Sequence, residues 1–340
     1  MRAAVFHQIG KPLAIESLND PIPLDGEVIV NVKACGICGT DIHATADKEM
    51  RLADGTVLGH EFAGEIVEVG PQVAVGWAQG DRLCTLPYIG CGHCLACLTG
   101  MPWQCKLKKV IGIQTAGGFA EYARVHVNEA VRLPVSVSWQ EGALVEPLAI
   151  GLHAVRLSRG VAGKSVLVTG AGPIGLAVAL WCRFFGARQV VVSEFDPERS
   201  KMALAMGATH AVDAKADVGA QYQEITGELP ELIFECVGIP GLIAQCVDRA
   251  AFGAEIVVVG FCMRPDTFVP ALAMLKEITV KFSIGNNKSD FQFIVDMLSS
   301  GRISVKPMIT AAVSLDDLPK TFESLRTPGE HCKVVVEPGR

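Results

Sequence analysis

The sequence predicts an α/β protein in two parts, a β-rich region followed by a doubly wound parallel sheet. Three observations carry this. The chain has 340 residues, long for a single hydrophobic core, so two domains are expected. Residues 1–146 are dense in Gly, Pro and short alternating apolar runs, the pattern of antiparallel strands joined by turns. From residue 163 the rhythm changes to near-continuous apolar strands separated by helices, as in a parallel sheet buried on both faces.

In the first region EVIVNVKA, EIVEVG and FAEYARV read as strands. In the second, SVLVTG is a strand and PIGLAVALWCRFFGA a helix with an apolar face. QVVVSE is the next strand, PERSKMALAMGA a helix and HAVDA a short strand. LIFECVG, EIVVVGF and ITVKFS continue the series, with the helical GLIAQCVDRAA between the first two. The tail from DFQFIVDMLSSG ends in KVVVEP, a strand expected to pack back on the first region. The domains expected are therefore residues 1–146 with the tail 287–340, and residues 147–286.

Composition excludes several classes. Half of the residues are apolar and 19% are charged, which fits a globular protein and excludes a disordered one. The net charge of −6, with no basic patch, argues against nucleic acid as a partner. No stretch approaches the ~20 apolar residues of a membrane span, and MRAAVFHQIG lacks the apolar run of a signal peptide. A cytoplasmic protein with reduced thiols is expected.

SVLVTGAGPIGLAVAL places Gly170, Gly172 and Gly175 in a G-x-G-x-x-G pattern between a strand and a helix. The first glycine suits a tight turn, the second lets the backbone approach a pyrophosphate, and the third allows close helix–strand packing. Pro173 and Ile174 open the helix, whose free N–H groups face the phosphates. Glu194 ends the second strand nineteen residues after Gly175, where a carboxylate accepts from ribose hydroxyls and repels a 2′-phosphate. NAD is the cofactor expected, with Arg199 as the nearby cation that could instead serve a 2′-phosphate.

The twelve cysteines are clustered. Cys91, Cys94, Cys97 and Cys105 follow C-x2-C-x2-C-x7-C, and four thiolates on one loop can close a tetrahedron around a structural zinc. ACGICGTDIHA holds the separate pair Cys35 and Cys38, then Thr40, Asp41 and His43. Alone it reads equally as a redox pair, half of a zinc finger, or one ligand of a catalytic metal. TVLGHEFAGEIVEVG adds His60 and Glu61, so that Cys38, His60 and a carboxylate can supply the three protein ligands a catalytic zinc needs.

CGICGTDIH, GHEFAGEIVEVG, the four-cysteine loop, GGFAEYARV, EPLAIGLHA and VTGAGPIGL occur in that order. Together they resemble the zinc-dependent medium-chain alcohol dehydrogenases, particularly the polyol (sorbitol) and L-threonine dehydrogenase branch, over essentially the whole chain. The resemblance implies a GroES-like catalytic domain, a Rossmann dinucleotide-binding domain, one catalytic and one structural zinc per chain, and a homo-oligomer, dimer or tetramer. It makes Cys38, His60 and Glu61 the ligands of the catalytic zinc, with Glu146 as a further ligand or a partner through water, the two glutamates being able to exchange. It makes Asp41 the residue that orients His60, leaves Cys35 outside the site, and gives Thr40 and His43 a proton relay to solvent. The activity implied is reversible hydride transfer between an alcohol and the nicotinamide, giving a ketone from a secondary alcohol, in a cleft between the domains. Phe119 is expected to form an apolar wall of the substrate pocket. Where the polyol branch carries a substrate-binding arginine this chain has Gly285 and Asn286, which points to a less polar alcohol.

Overall fold

The computed structural model describes residues 1–327, 329 and 331–340. The chain divides into two compact units, Met1–Glu146 with Asn286–Arg340, and Pro147–Gly285. The first ten strands are β1 (Arg2–Phe6), β2 (Ala14–Ser17), β3 (Glu27–Gly36), β4 (Thr56–Val57), β5 (Glu61–Val69), β6 (Arg82–Thr85), β7 (Tyr88–Ile89), β8 (Lys109–Val110), β9 (Tyr122–His126) and β10 (Ala130–Arg132). The next six are β11 (Ser165–Thr169), β12 (Gln189–Glu194), β13 (His210–Asp213), β14 (Leu232–Glu235), β15 (Glu255–Val258) and β16 (Thr279–Phe282). The tail adds β17 (Ile309–Ser314) and β18 (Lys333–Glu337).

In the first unit the main sheet runs β10-β6-β5-β3-β18-β17, with β9 also on β3. The ten-residue β3 is its axis. It pairs antiparallel with β5, β9 and β18, the last through Cys35↔Val336 and Gly36↔Val335. Shifts of register at Ile29/Val30 and Val32/Ala34 bend β3 as β-bulges do. Val30, Val32, Phe62, Ile66, Phe119 and Val334 share one buried core. The smaller sheets are β2-β1-β4 and β7-β8.

The second unit is one six-stranded sheet, ordered β13-β12-β11-β14-β15-β16, parallel throughout. Numbered along the unit this is 3-2-1-4-5-6, the doubly wound Rossmann order. All five residues of β11 are buried, as befits a central strand covered on both faces, whereas β16 is an edge and none of its residues is fully buried. The fold class is the one the sequence predicts. Among the described residues no helix is long and apolar enough to cross a membrane.

Candidate metal centre and nucleotide loop

Cys38 caps the short helix Gly39–Ala44. Its sulfur accepts from the Thr40 N–H at 3.4 Å, while its own N–H donates to Asp41 Oδ2 at 3.0 Å, a capping box with cysteine in the usual serine place. The other Asp41 oxygen lies 3.4 Å from His60 Nδ1 and accepts from the Gly59 N–H at 3.4 Å. One buried carboxylate thus ties the Cys38 turn to the His60 turn. Burial works against a charge on the His60 ring, but the Asp41 carboxylate and Cys38 sulfur outweigh it and raise its pKa well above the usual imidazole value. Such a concentration of negative neighbours favours a cation.

Donor atoms of Cys38, His60 and Glu61 lie within 4.8 Å of one another, and His60 and Glu61 are buried. A thiolate, an imidazole and a carboxylate are a donor set suited to zinc. The Glu61 carboxylate is also gripped by Lys333, whose ammonium donates to Oε1 at 2.7 Å and Oε2 at 2.6 Å. Glu146 sits in the first turn of the helix Val145–Leu157 and accepts from Asn286 Nδ2 at 3.0 Å. Burial, with the Glu61 charge nearby, pushes the Glu146 carboxyl up to about 7. Asn286 is fully buried, and among the described residues its Oδ1 has no hydrogen-bond partner. Tyr88 is half-buried close to the same charges, and burial first, then Glu146, pushes its hydroxyl up to about 12.

In the cysteine lobe the Cys97 sulfur lies 3.6 Å from that of Cys94 and 4.0 Å from that of Cys91, and donor atoms of all four cysteines fall within 4.8 Å. Four sulfurs about 2.3 Å from a zinc stand roughly 3.8 Å apart in a tetrahedron. The lobe therefore fits the ion as it stands. The backbone N–H groups of His93 and Cys94 hold the Cys91 thiol down to about 6.

In the second unit Gly170 follows β11 with φ +84°, in the left-handed region that favours glycine. Gly172 caps the helix Pro173–Phe184 and faces open space, so its backbone is free to approach a ligand. A Cβ on Gly175 would overlap the Gly170 carbonyl oxygen, so the helix can begin this close to the strand only with glycine there. Glu194 is buried, and its carboxylate accepts from the N–H groups of Ala171 (2.8 Å), Phe195 (2.9 Å) and Asp196 (3.1 Å). It fastens the glycine turn to the end of β12. Arg199 is half-buried in the first turn of the next helix, Pro197–Ala205.

Thr40 is half-buried and His43 exposed, three residues apart on the Gly39–Ala44 helix. Phe119 is fully buried in the core of the first unit, edge-on to Phe322 with ring centroids 6.3 Å apart, and its ring presses on Gly59, so that it buttresses the turn before His60. Cys35 is likewise a core residue. Sequence reasoning missed Lys333, whose signal was a lone cation opening an apolar strand in KVVVEP, and Tyr88.

Residues 24–135 match the family model of the alcohol dehydrogenase GroES-like domain, and residues 173–300 that of zinc-binding dehydrogenase. The (R,R)-butanediol dehydrogenase of Bacillus subtilis (strain 168) is 34% identical, the match covering 99% of this chain and 100% of the relative. This chain belongs to the zinc-binding alcohol dehydrogenase family. Among solved structures, a zinc-binding dehydrogenase of Sinorhizobium meliloti 1021 bound to NADP is 32% identical, with a TM-score of 0.89 and 99% of both chains covered. The alcohol dehydrogenase rspB of Escherichia coli CFT073, complexed with NADH, is 29% identical, with a TM-score of 0.90 and the same coverage. The chain is thus a zinc-dependent dehydrogenase acting on CH–OH groups.

Proposed function

We propose that this dehydrogenase reversibly oxidises a small secondary alcohol of low polarity to its ketone, with NAD as hydride acceptor. The observation that carries the reading is the meeting of Cys38, His60 and Glu61 donors within 4.8 Å, beside the second buried carboxylate of Glu146. These residues would hold the catalytic zinc, and the four cysteines of the lobe the structural one. Zinc, when bound, supplies a Lewis acid that polarises the substrate oxygen. Asp41 at His60 Nδ1 fixes the ring and leaves Nε2 for the metal. Thr40 takes the hydroxyl proton and His43, on the same helix and exposed, passes it to solvent.

In the nucleotide-binding unit, Gly170, Gly172, Pro173, Ile174 and Gly175 would cradle the pyrophosphate at the helix N-terminus. The Glu194 carboxylate repels a 2′-phosphate, which supports NAD over NADP; Arg199 is left on its helix. Low substrate polarity is supported by Gly285 and Asn286 in the segment where polyol enzymes carry an arginine, and by the butanediol relative. Phe282 and Ile284, exposed at the edge strand β16 and just after it, support a homo-oligomer formed through that edge. Donor thiols that must stay reduced favour the cytoplasm.

The experiment is formation of NADH with a panel of aliphatic secondary alcohols, 2,3-butanediol, sugar alcohols and L-threonine. Turnover confined to the aliphatic alcohols and butanediol is the expected result, and preference for a sugar alcohol or threonine would overturn the substrate reading. C38S should abolish turnover with fold and NADH binding retained; unchanged turnover would remove Cys38 from the metal centre. E194A should lower the preference for NAD over NADP.

A further inference from the structure

Lys333 and Glu61 lie 272 residues apart in sequence and are each 1% exposed. The ammonium spends two donors on the carboxylate and its third on the Ile37 carbonyl at 3.1 Å. An ammonium taken fully out of water needs a partner, and removing either member of the pair leaves an uncompensated buried charge. The seat is built from a second side as well. A Cβ on Gly36 would run into Glu61 Oε2, so β3 carries a glycine where the carboxylate rests. Glu146, by contrast, is held by a single amide N–H of Asn286.

We propose that Lys333 is a positioning residue that competes with the metal for Glu61, making that carboxylate a weak and exchangeable ligand. This rests on the reading of Cys38, His60 and Glu61 as the metal centre. A carboxylate shared with an ammonium donates less to a metal, and when it leaves the metal it returns to a full ion pair instead of becoming a bare buried charge. Lys333 would thus give Glu61 a seat away from the metal, while Cys38 and His60 would hold the ion.

The test uses the full-length protein loaded with cobalt(II) in place of zinc. Its visible spectrum reports coordination, and transfer to a chelator reports the rate of metal release. K333M should free Glu61 to stay on the metal, slowing release from the Cys38–His60 centre by about tenfold or more and altering the cobalt spectrum. K333R should resemble the parent. In an E61Q background K333M should change neither readout, because Lys333 acts through Glu61. A parent-like release rate and spectrum in K333M would overturn the proposal. So would an equal change in the E61Q background, which would show the cation acting by charge alone. Should K333M fail to fold, K333Q, which keeps an N–H for Glu61, takes its place under the same criteria. C38S separates the two levels of the argument: if it keeps the parent's metal content and spectrum, the metal-centre reading itself fails.

Discussion

Replacing Gly59 by alanine probes how the site is seated. Gly59 immediately precedes His60 and has φ +92°, where a side chain costs about 1–3 kcal/mol. A Cβ there would stand 2.6 Å from Phe119 Cδ1 and 2.8 Å from Cys35 Sγ, and both neighbours are fully buried, so neither can swing into solvent. Overpacking of this kind typically costs about 1–3 kcal/mol more. The expected loss is therefore about 2–6 kcal/mol, or at least about 4 °C in Tm for a unit of this size. Calorimetry measures the loss, and metal analysis follows the displacement of His60 as faster release of one metal equivalent. Trimming the obstructing ring tests the cause. G59A/F119L should be more stable than the two single changes add up to, by about 0.5 kcal/mol or more. A G59A protein that melts with the parent, or strict additivity with F119L, would refute the reasoning.

Three further outcomes are expected. G175A drives a methyl into the Gly170 carbonyl and must push the helix Pro173–Phe184 off β11; a displacement of ~1 Å at such a site lowers kcat/KM about 100-fold, and parent-like titration with NADH would contradict this. C97S removes the sulfur that lies 3.6 Å from that of Cys94 and 4.0 Å from that of Cys91, so the protein should lose one metal equivalent per chain and melt lower, while an unchanged metal content would refute a zinc in the lobe. His7 bridges Asp54 and Glu16, and its hydrogen bonds to those carboxylates, Asp54 foremost, raise its pKa. A raised folded-state pKa stabilises fully below the unfolded value of about 6.5 and ceases to do so as pH rises through the folded value. H7Q should therefore lower Tm more at acidic than at alkaline pH, and an equal difference at both would show that the bridge does not matter.

Local chemistry made much of this legible in the sequence. QVVVSE is a strand over the same six residues in the structure, and Pro173 opens its helix directly after Gly172. Other strands stop short of their apolar runs. LIFECVG ends at Glu235 because that carboxylate accepts from the N–H groups of Val237 and Gly238 and closes a turn. EIVVVGF ends at Val258 because the next two N–H groups turn to the Glu235 carbonyl. Cys38, His60 and Glu61 could be grouped because the motifs that carry them, CGICGTDIH and GHEFAGEIVEVG, resemble those of the family. What sequence could not reveal depends on distant pairing. Phe119 faces inward because its backbone is held between Ala4 and Leu58, and Lys333 reaches Glu61 only because β18 lies beside β3.

That last arrangement has a consequence for biosynthesis. β3 obtains β5 and β9 from sequence close to it, but its contact at Cys35 and Gly36 waits for Val335 and Val336. At 5–20 residues per second a ribosome needs roughly 15–60 s to travel from one to the other. The second unit, contiguous from Pro147 to Gly285, is translated in full within that interval. Meanwhile a nascent β3 presents an open strand edge, the kind of surface that chaperones must shield, and Glu61 has no ammonium to rest on. The unit that is begun first is finished last.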